Sequence, residues 1–151
     1  MMADRSDHLT ALALATFRAN GALLSAGDAL TAPFGLSSAR WQVMGAVVLA
    51  GQPLTVPQIA RNMGLSRQSV QRLIDELQKQ EMVTLAPNPH HKRARLVRLS
   101  PAGEAAYGAV MLQWNALAAR LAAGMDETQV KAATEALETL CIRLDEAHPP
   151  D

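Results

Sequence analysis

The sequence predicts a mainly α-helical protein carrying one small β-hairpin. Three observations lead there. The 151-residue chain is 49% hydrophobic but only 3% aromatic, so its core is aliphatic and rich in the helix formers Ala and Leu. Apolar residues recur at helical spacing in one segment after another, each bounded by a capping residue or a glycine. Only two short runs, residues 83–86 and 94–99, read as strands, and the loop between them holds Pro87, Asn88 and Pro89, which favour a turn.

Taken in order, a first helix is expected over about residues 6–30. Ser6 can cap it, Leu9, Leu12, Ala13, Phe17 and Leu24 fall near one stripe, and Pro33-Phe34-Gly35 ends it. A second helix runs from about Ser38 to Ala50 behind a Ser37 cap, with Trp41, Met44, Gly45 and Val48 on one face. Gly51 stands where a helix end takes a left-handed residue. The third helix follows Thr55, which with Gln58 has capping-box spacing. Pro57 lies in its first turn, and Val56, Ile59, Ala60 and Met63 form a stripe that Gly64 closes. Ser66 caps a fourth helix to about Gln80. Val70, Leu73, Ile74 and Leu77 line its apolar face, while Gln68, Gln71, Arg72, Asp75 and Lys79 line the other. After the two strands, Ser100-Pro101 opens a helix to about Ala123. Gly124-Met125-Asp126 breaks it, a last helix covers about residues 127–146, and residues 148–151 are expected to fray.

The formal net charge is zero, but it is segregated. From Arg61 to Arg98 eight basic residues (Arg61, Arg67, Arg72, Lys79, Lys92, Arg93, Arg95, Arg98) face only Asp75, Glu76 and Glu81, a net of +5 that leaves −5 on the rest. Such a block is the footprint of a polyanion partner, with a merely solvated face as the alternative. The single cysteine, Cys141, excludes an intrachain disulfide and a cysteine-based zinc site. It sits on an apolar stripe and reads as a buried structural thiol. The start of the chain lacks the pattern of a leader peptide. The longest apolar stretch, residues 43–50, is too short to span a bilayer. A cytoplasmic protein with no membrane partner is therefore expected.

Two short amphipathic helices joined at Gly64-Leu65-Ser66 have the helix-turn-helix form. Packing their apolar faces together leaves Gln68, Gln71 and Arg72 outward, side chains able to read adenine and guanine edges in the major groove. Ser66, Arg67 and Ser69 stand near the helix N-terminus, suited to phosphate contacts. An ordinary helical hairpin with a polar surface is the plainer alternative. The hairpin that follows changes the balance. Its tip carries His90, His91, Lys92, Arg93 and Arg95, a basic wing whose arginine can enter the minor groove. The order helix, helix, basic hairpin describes a winged helix-turn-helix. His90 and His91 have no third metal ligand nearby and read as wing polarity.

With these pieces in place the chain resembles the multiple-antibiotic-resistance regulator (MarR) family over nearly its whole length. The matching segments are Ser37-Ser38-Ala39-Arg40-Trp41, then Leu54-Thr55-Val56-Pro57-Gln58-Ile59-Ala60. After them come Leu65 through Leu77 and Arg93 through Gly103. Two positions depart from the family pattern: His91 stands where an acidic residue is usual, and Glu81 where a glycine usually ends the recognition helix. The resemblance implies one domain over residues 1–151. Within it, residues of about 37–100 form the DNA-binding lobe, and about 6–30 and 101–147 form dimerisation helices that interleave in a homodimer. The Ala-rich terminal helices, with Ala118, Ala119, Ala122, Ala132, Ala133 and Ala136, agree independently. The resemblance also implies a pseudo-palindromic double-stranded operator, and release from DNA by a small, often phenolic, ligand held between dimer helices and lobe.

Candidates for that ligand are Phe17, Arg18, Arg40, Trp41 and Met44, an apolar slot with guanidinium groups at its mouth. Trp41 suits plain core at least as well, and Arg18 and Arg40 suit surface salt bridges better than a ligand carboxylate. The reading is a sequence-specific DNA-binding transcriptional regulator, a repressor relieved by a small aromatic ligand, with no cofactor, metal or catalytic residue. The alternatives are a winged-helix interaction module that does not bind DNA and, well behind it, an enzyme. No catalytic triad spacing, phosphate-cradling glycine loop or paired-carboxylate motif stands out.

Overall fold

The computed structural model describes residues 4–149. In order the elements are helix α1 (Arg5–Thr31), a 3₁₀ turn (Ala32–Phe34), α2 (Ser38–Ala50), strand β1 (Leu54–Thr55), α3 (Val56–Met63), α4 (Arg67–Lys79), β2 (Val83–Ala86), β3 (Leu96–Leu99), α5 (Pro101–Ala122) and α6 (Glu127–Ala147). The chain divides into two compact units, Met1–Leu112 and Gln113–Asp151.

In the first unit the caps are local and strong. Ser37 Oγ accepts from the Arg40 amide at 3.3 Å. Thr55 and Gln58 exchange both capping-box bonds, at 2.9 and 3.3 Å. Ser66 Oγ accepts from the Ser69 amide at 3.1 Å. Gly35, Gly51 and Gly64 close three of the helical segments in the left-handed conformation. The first cap differs from expectation. Asp4, not Ser6, caps α1, accepting from the Arg5 amide at 2.7 Å while Asp7 reaches back to the Asp4 amide at 3.1 Å. A carboxylate one turn ahead of another acid satisfies two orphan N–H groups at once, so Ser6 becomes part of the helix.

The core of this unit is aliphatic: Leu36, Val43, Met44, Val47, Leu54, Ile59, Ala60, Val70, Leu73, Ile74, Leu77, Val83, Val97 and Val110. All four apolar positions of α4 are buried, which leaves its other face to solvent. On α2 the buried side chains are Val43, Met44 and Val47; Val48, expected on the inner face, is exposed and Trp41 half-buried. A third strand joins the hairpin. β1 pairs antiparallel with β3 through Leu54↔Val97 and Thr55↔Leu96, giving the sheet order β1-β3-β2. Thr55 thus ends a strand and caps a helix, and the sheet anchors the wing at its base.

The turn after α4 keeps left-handed geometry without glycine: Glu81 has φ 59, alone among the described non-glycine residues. The Ser100 hydroxyl donates to the Glu81 carbonyl at 2.6 Å and accepts from the Gly103 amide at 3.0 Å. A Cβ at Gly103 would stand 2.0 Å from the Met82 carbonyl oxygen, so only glycine allows the start of α5 to approach that turn. At the other end of the unit, Ser38 N donates to Asp28 Oδ1 at 2.8 Å, fastening α2 to α1.

The apolar stripe of α1 is only partly covered: Leu12 and Ala13 are half-buried. Phe17 is 74% exposed, and Leu9, Leu14, Leu23 and Leu24 are also exposed. Against the sequence reading, Arg5–Phe34 is long and apolar enough, by length and composition, to cross a membrane. In the second unit α6 is capped by Asp126, which accepts from the Thr128 amide at 2.8 Å. No described residue of this unit is buried, and Leu121, Val130, Ile142 and Leu144 are exposed. Cys141, expected to be buried, is exposed, on a helix with no buried residue among those described. Of the segment expected to fray, Pro150 and Asp151 lie outside the described residues.

Candidate nucleic-acid interface

α3 packs on α4 through Ile59, Ala60, Val70, Leu73 and Ile74, all in one buried cluster. That packing presents the polar face of α4 toward the wing. Between them lies a groove of about 510 Å³, lined by Val56 and Pro57 of α3, Arg67, Gln68 and Gln71 of α4, Leu85 of β2, and Arg93, Ala94 and Arg95 of the wing. Three arginines and two glutamines line it, without an acid. None of Arg67, Arg72, Lys92, Arg93 or Arg95 forms an ion pair among the described residues, so their charge is available to an external anion.

The structure brings together Arg67, Gln68, Gln71, Arg93 and Arg95 of the residues singled out in the sequence. Arg72 and Lys92 are exposed and do not line the groove. Ser66 caps α4, and its hydroxyl donates to Ser69 Oγ at 2.8 Å. The wing tip is ordered by Asn88, whose Oδ1 accepts from the His90 amide at 3.0 Å and whose carbonyl accepts from His91 N at 3.3 Å. The His91 carbonyl in turn accepts from the Ala94 amide at 3.2 Å. An Asn-based turn therefore shapes this loop, with no side-chain hydrogen bond from His91 among the described residues.

A second cleft, of about 530 Å³, opens between α2, α3 and α5. Its walls are mostly apolar, with Trp41, Leu49 and Met63 beside the polar Gln42, Asn62 and Tyr107. Burial pushes the Tyr107 hydroxyl above its ordinary pKa, because the phenolate is costly to desolvate. Of the five ligand candidates only Trp41 lines this cleft. Met44 is fully buried in the core, and Phe17 and Arg18 are exposed on α1. Arg40 is committed to its own neighbours. Its Nη1 donates to Gln80 Oε1 at 2.6 Å, its Nε to Ser37 Oγ at 3.1 Å, and Glu76 Oε2 lies 3.9 Å from that Nε. Gln80 Nε2 donates onward to the Gly35 carbonyl at 2.5 Å. Arg40 thus ties the loop before α2 to the end of α4. Sequence reasoning missed Tyr107, Asn62 and Gln42. Tyr107 is the chain's one tyrosine, a signal that could have singled it out.

Three helices, a three-stranded sheet and a basic groove between α4 and the hairpin define a winged-helix protein. Comparison with known proteins places it further. A sequence model described as the MarR family matches residues 34–94. The uncharacterized protein Rv2011c of Mycobacterium tuberculosis is 31% identical, covering 95% of this chain and 99% of its own. The transcriptional regulator BldR from Sulfolobus solfataricus superposes with TM-score 0.79 at 15% identity, covering 94% of this chain and 99% of that one. A mutant MarR from E. coli, complexed with operator DNA, gives TM-score 0.75 at 19% identity, covering 91% and 99%. At those identities the two structures speak for the fold alone. The chain belongs to the MarR family.

Proposed function

We propose that this protein is a sequence-specific DNA-binding transcriptional regulator, a homodimeric repressor released by a small aromatic ligand. One observation carries the DNA-binding reading: the groove between α4 and the wing is lined by Arg67, Gln68, Gln71, Arg93 and Arg95 with no acid among them. A groove of that composition matches a duplex, with the helix entering the major groove and the wing reaching the adjacent minor groove. The mutant MarR from E. coli, of the same fold, is complexed with operator DNA, which supports the assignment. In this reading Arg67, with Ser66 and Ser69, holds phosphate. Gln68, Gln71 and Arg72 read base edges, and Lys92, Arg93 and Arg95 grip the minor groove and its rim.

The exposed part of the α1 stripe and the unburied α6 are read as dimer faces, with residues of about 6–30 and 101–147 as the dimerisation helices and about 37–100 as the DNA-binding lobe. The length and apolarity of α1 then serve subunit association, and the protein is cytoplasmic. Ligand relief is assigned to the cleft walled by Trp41, Met63 and Tyr107, whose apolar lining and few polar groups suit an aromatic compound. A ligand there acts only through its preference between DNA-competent and incompetent arrangements.

The deciding experiment is a gel shift of the full-length protein on the DNA upstream of its own coding sequence. Specific retention at moderate salt is expected. Absence of any shift at micromolar protein on that DNA and on a randomised duplex pool would favour the interaction-module alternative.

A further inference from the structure

On the exposed face of α4, Gln71 Nε2 donates to Asp75 Oδ1 at 2.8 Å. The two residues are one helical turn apart, both are exposed, and Gln71 stands on the groove wall. An ionised carboxylate only accepts hydrogen bonds. The chemistry of the partner therefore fixes which end of the amide faces Asp75: it is the amino end. The carbonyl Oε1 is turned away from Asp75, and one N–H remains over. Gln68, in the same groove, has no side-chain hydrogen bond among the described residues, so either end of its amide can point outward.

Asp75 itself is out of place on this face. It is one of three acids in a segment of net charge +5, and it forms no ion pair among the described residues. A carboxylate beside a polyanion weakens attraction. Among the described residues its one side-chain partner is Gln71, which gives it a reason to be there.

We propose that Asp75 is a positioning residue that sets the Gln71 amide to read adenine and reject guanine. With its amino group half-committed to Asp75, Gln71 offers an acceptor and one donor. Adenine presents the complement in the major groove, the N6 donor beside the N7 acceptor. Guanine presents two acceptors, O6 and N7, and one of them would face Oε1. Gln68 lacks this constraint and discriminates less. The inference rests on the DNA-binding reading and deepens it by naming the base class and the residue that enforces it.

The test is selection from a randomised double-stranded DNA library with the full-length wild type, Gln71→Ala and Asp75→Asn. Asn is nearly isosteric with Asp but can donate as well as accept, so it lets the Gln71 amide turn over. Wild type is expected to enrich a defined half-site. Gln71→Ala should lose preference at one position, where wild type selects A·T. At that position Asp75→Asn should reduce the preference for adenine over guanine about tenfold, leaving the other positions unchanged. An adenine preference untouched by Asp75→Asn would overturn the positioning role while leaving DNA binding in place. So would a Gln71-dependent position at which wild type selects G·C. A wild type that enriches nothing overturns the DNA-binding reading and this one with it. Both residues are solvent-exposed, and circular dichroism confirms that each variant is folded before selection.

Discussion

Ser100, between β3 and α5, donates its hydroxyl at 2.6 Å to the backbone carbonyl of Glu81 in the turn between α4 and β2. Glu81 is held there with φ 59. A non-glycine residue in that conformation carries about 1–2 kcal/mol of strain. Glu81→Gly should relieve it, offset in part by the greater freedom of glycine in the unfolded chain, for a net gain of up to about 1 kcal/mol. Ser100→Ala removes a cap and a tether together and should cost about 1–2 kcal/mol. Urea midpoints of the two variants check both signs.

Salt should act strongly on DNA binding. With Arg67, Arg72, Arg93 and Arg95 free of ion pairs among the described residues, a dimer neutralising ~8 phosphates gives a slope of log affinity on log salt of about −7. Fluorescence anisotropy across a salt series measures it. A slope near zero would remove the electrostatic basis of the reading.

Reading and gripping should separate by mutation. Gln68→Ala, Gln71→Ala or Arg72→Ala should cost roughly 1–3 kcal/mol each and relax preference at a single position per half-site. Arg93→Ala should weaken binding to every sequence more evenly and reduce the salt slope by about 1. If none of the three α4 changes altered preference, a different face meets the DNA.

The cleft makes a prediction about pH as well as about ligand. Tyr107 titrates above its ordinary value because burial disfavours the phenolate. The unfolded chain then loses its phenolic proton first, near pH 10, and binds fewer protons than the folded one. Stability accordingly falls as pH rises from about 10 toward the folded pKa. Tyr107→Phe should abolish that part of the alkaline loss, which denaturant midpoints across alkaline pH will detect. At neutral pH the hydroxyl remains a donor. Aromatic acids such as salicylate should perturb Trp41 fluorescence once Trp114 is replaced, and should weaken DNA binding within about 5- to 150-fold. Silence of both signals across a broad panel would remove the cleft from the regulatory scheme.

Dimerisation should follow the uncovered faces. A two-fold dimer places two recognition helices about 34 Å apart, one turn of duplex. Truncation from Thr128 onward should yield monomers or aggregates without specific binding. Sedimentation of the full-length protein as a monomer at micromolar concentration, with normal operator binding, would contradict the assignment.

Much of the lobe was legible in the sequence because its signals are local. Ser37, Ser66 and the Thr55/Gln58 pair cap within three residues, and the buried face of α4 follows a strict helical period. The outward set Gln68, Gln71 and Arg72 follows from that face by subtraction, and of these Gln68 and Gln71 line the groove. What escaped depends on distant partners. β1 has two residues and exists only because β3 offers a ladder more than 40 positions away. Arg40 reads in sequence as a ligand contact or a surface salt bridge, yet Gln80 reaches it from the far end of α4. Met44 has the same local spacing as a pocket residue and lies inside, since Val43 and Val47 turn that side of α2 inward. Cys141 misled for the opposite reason: an apolar stripe predicts burial only when something covers it.

The pairing of Leu54 with Val97 has a kinetic consequence. The two residues tie off a chain segment that holds α3, α4 and the hairpin, so the ladder can close only after those pieces have brought its ends together. Closing ~40 residues costs about 3 kcal/mol of chain entropy, a barrier that falls late in folding. Hydrogen-exchange pulses during refolding should therefore find the amides of α4 protected before the β1–β3 rungs. Conversely, the first breach under mild denaturant should be the release of β1, which loosens the wing while the paired helices hold.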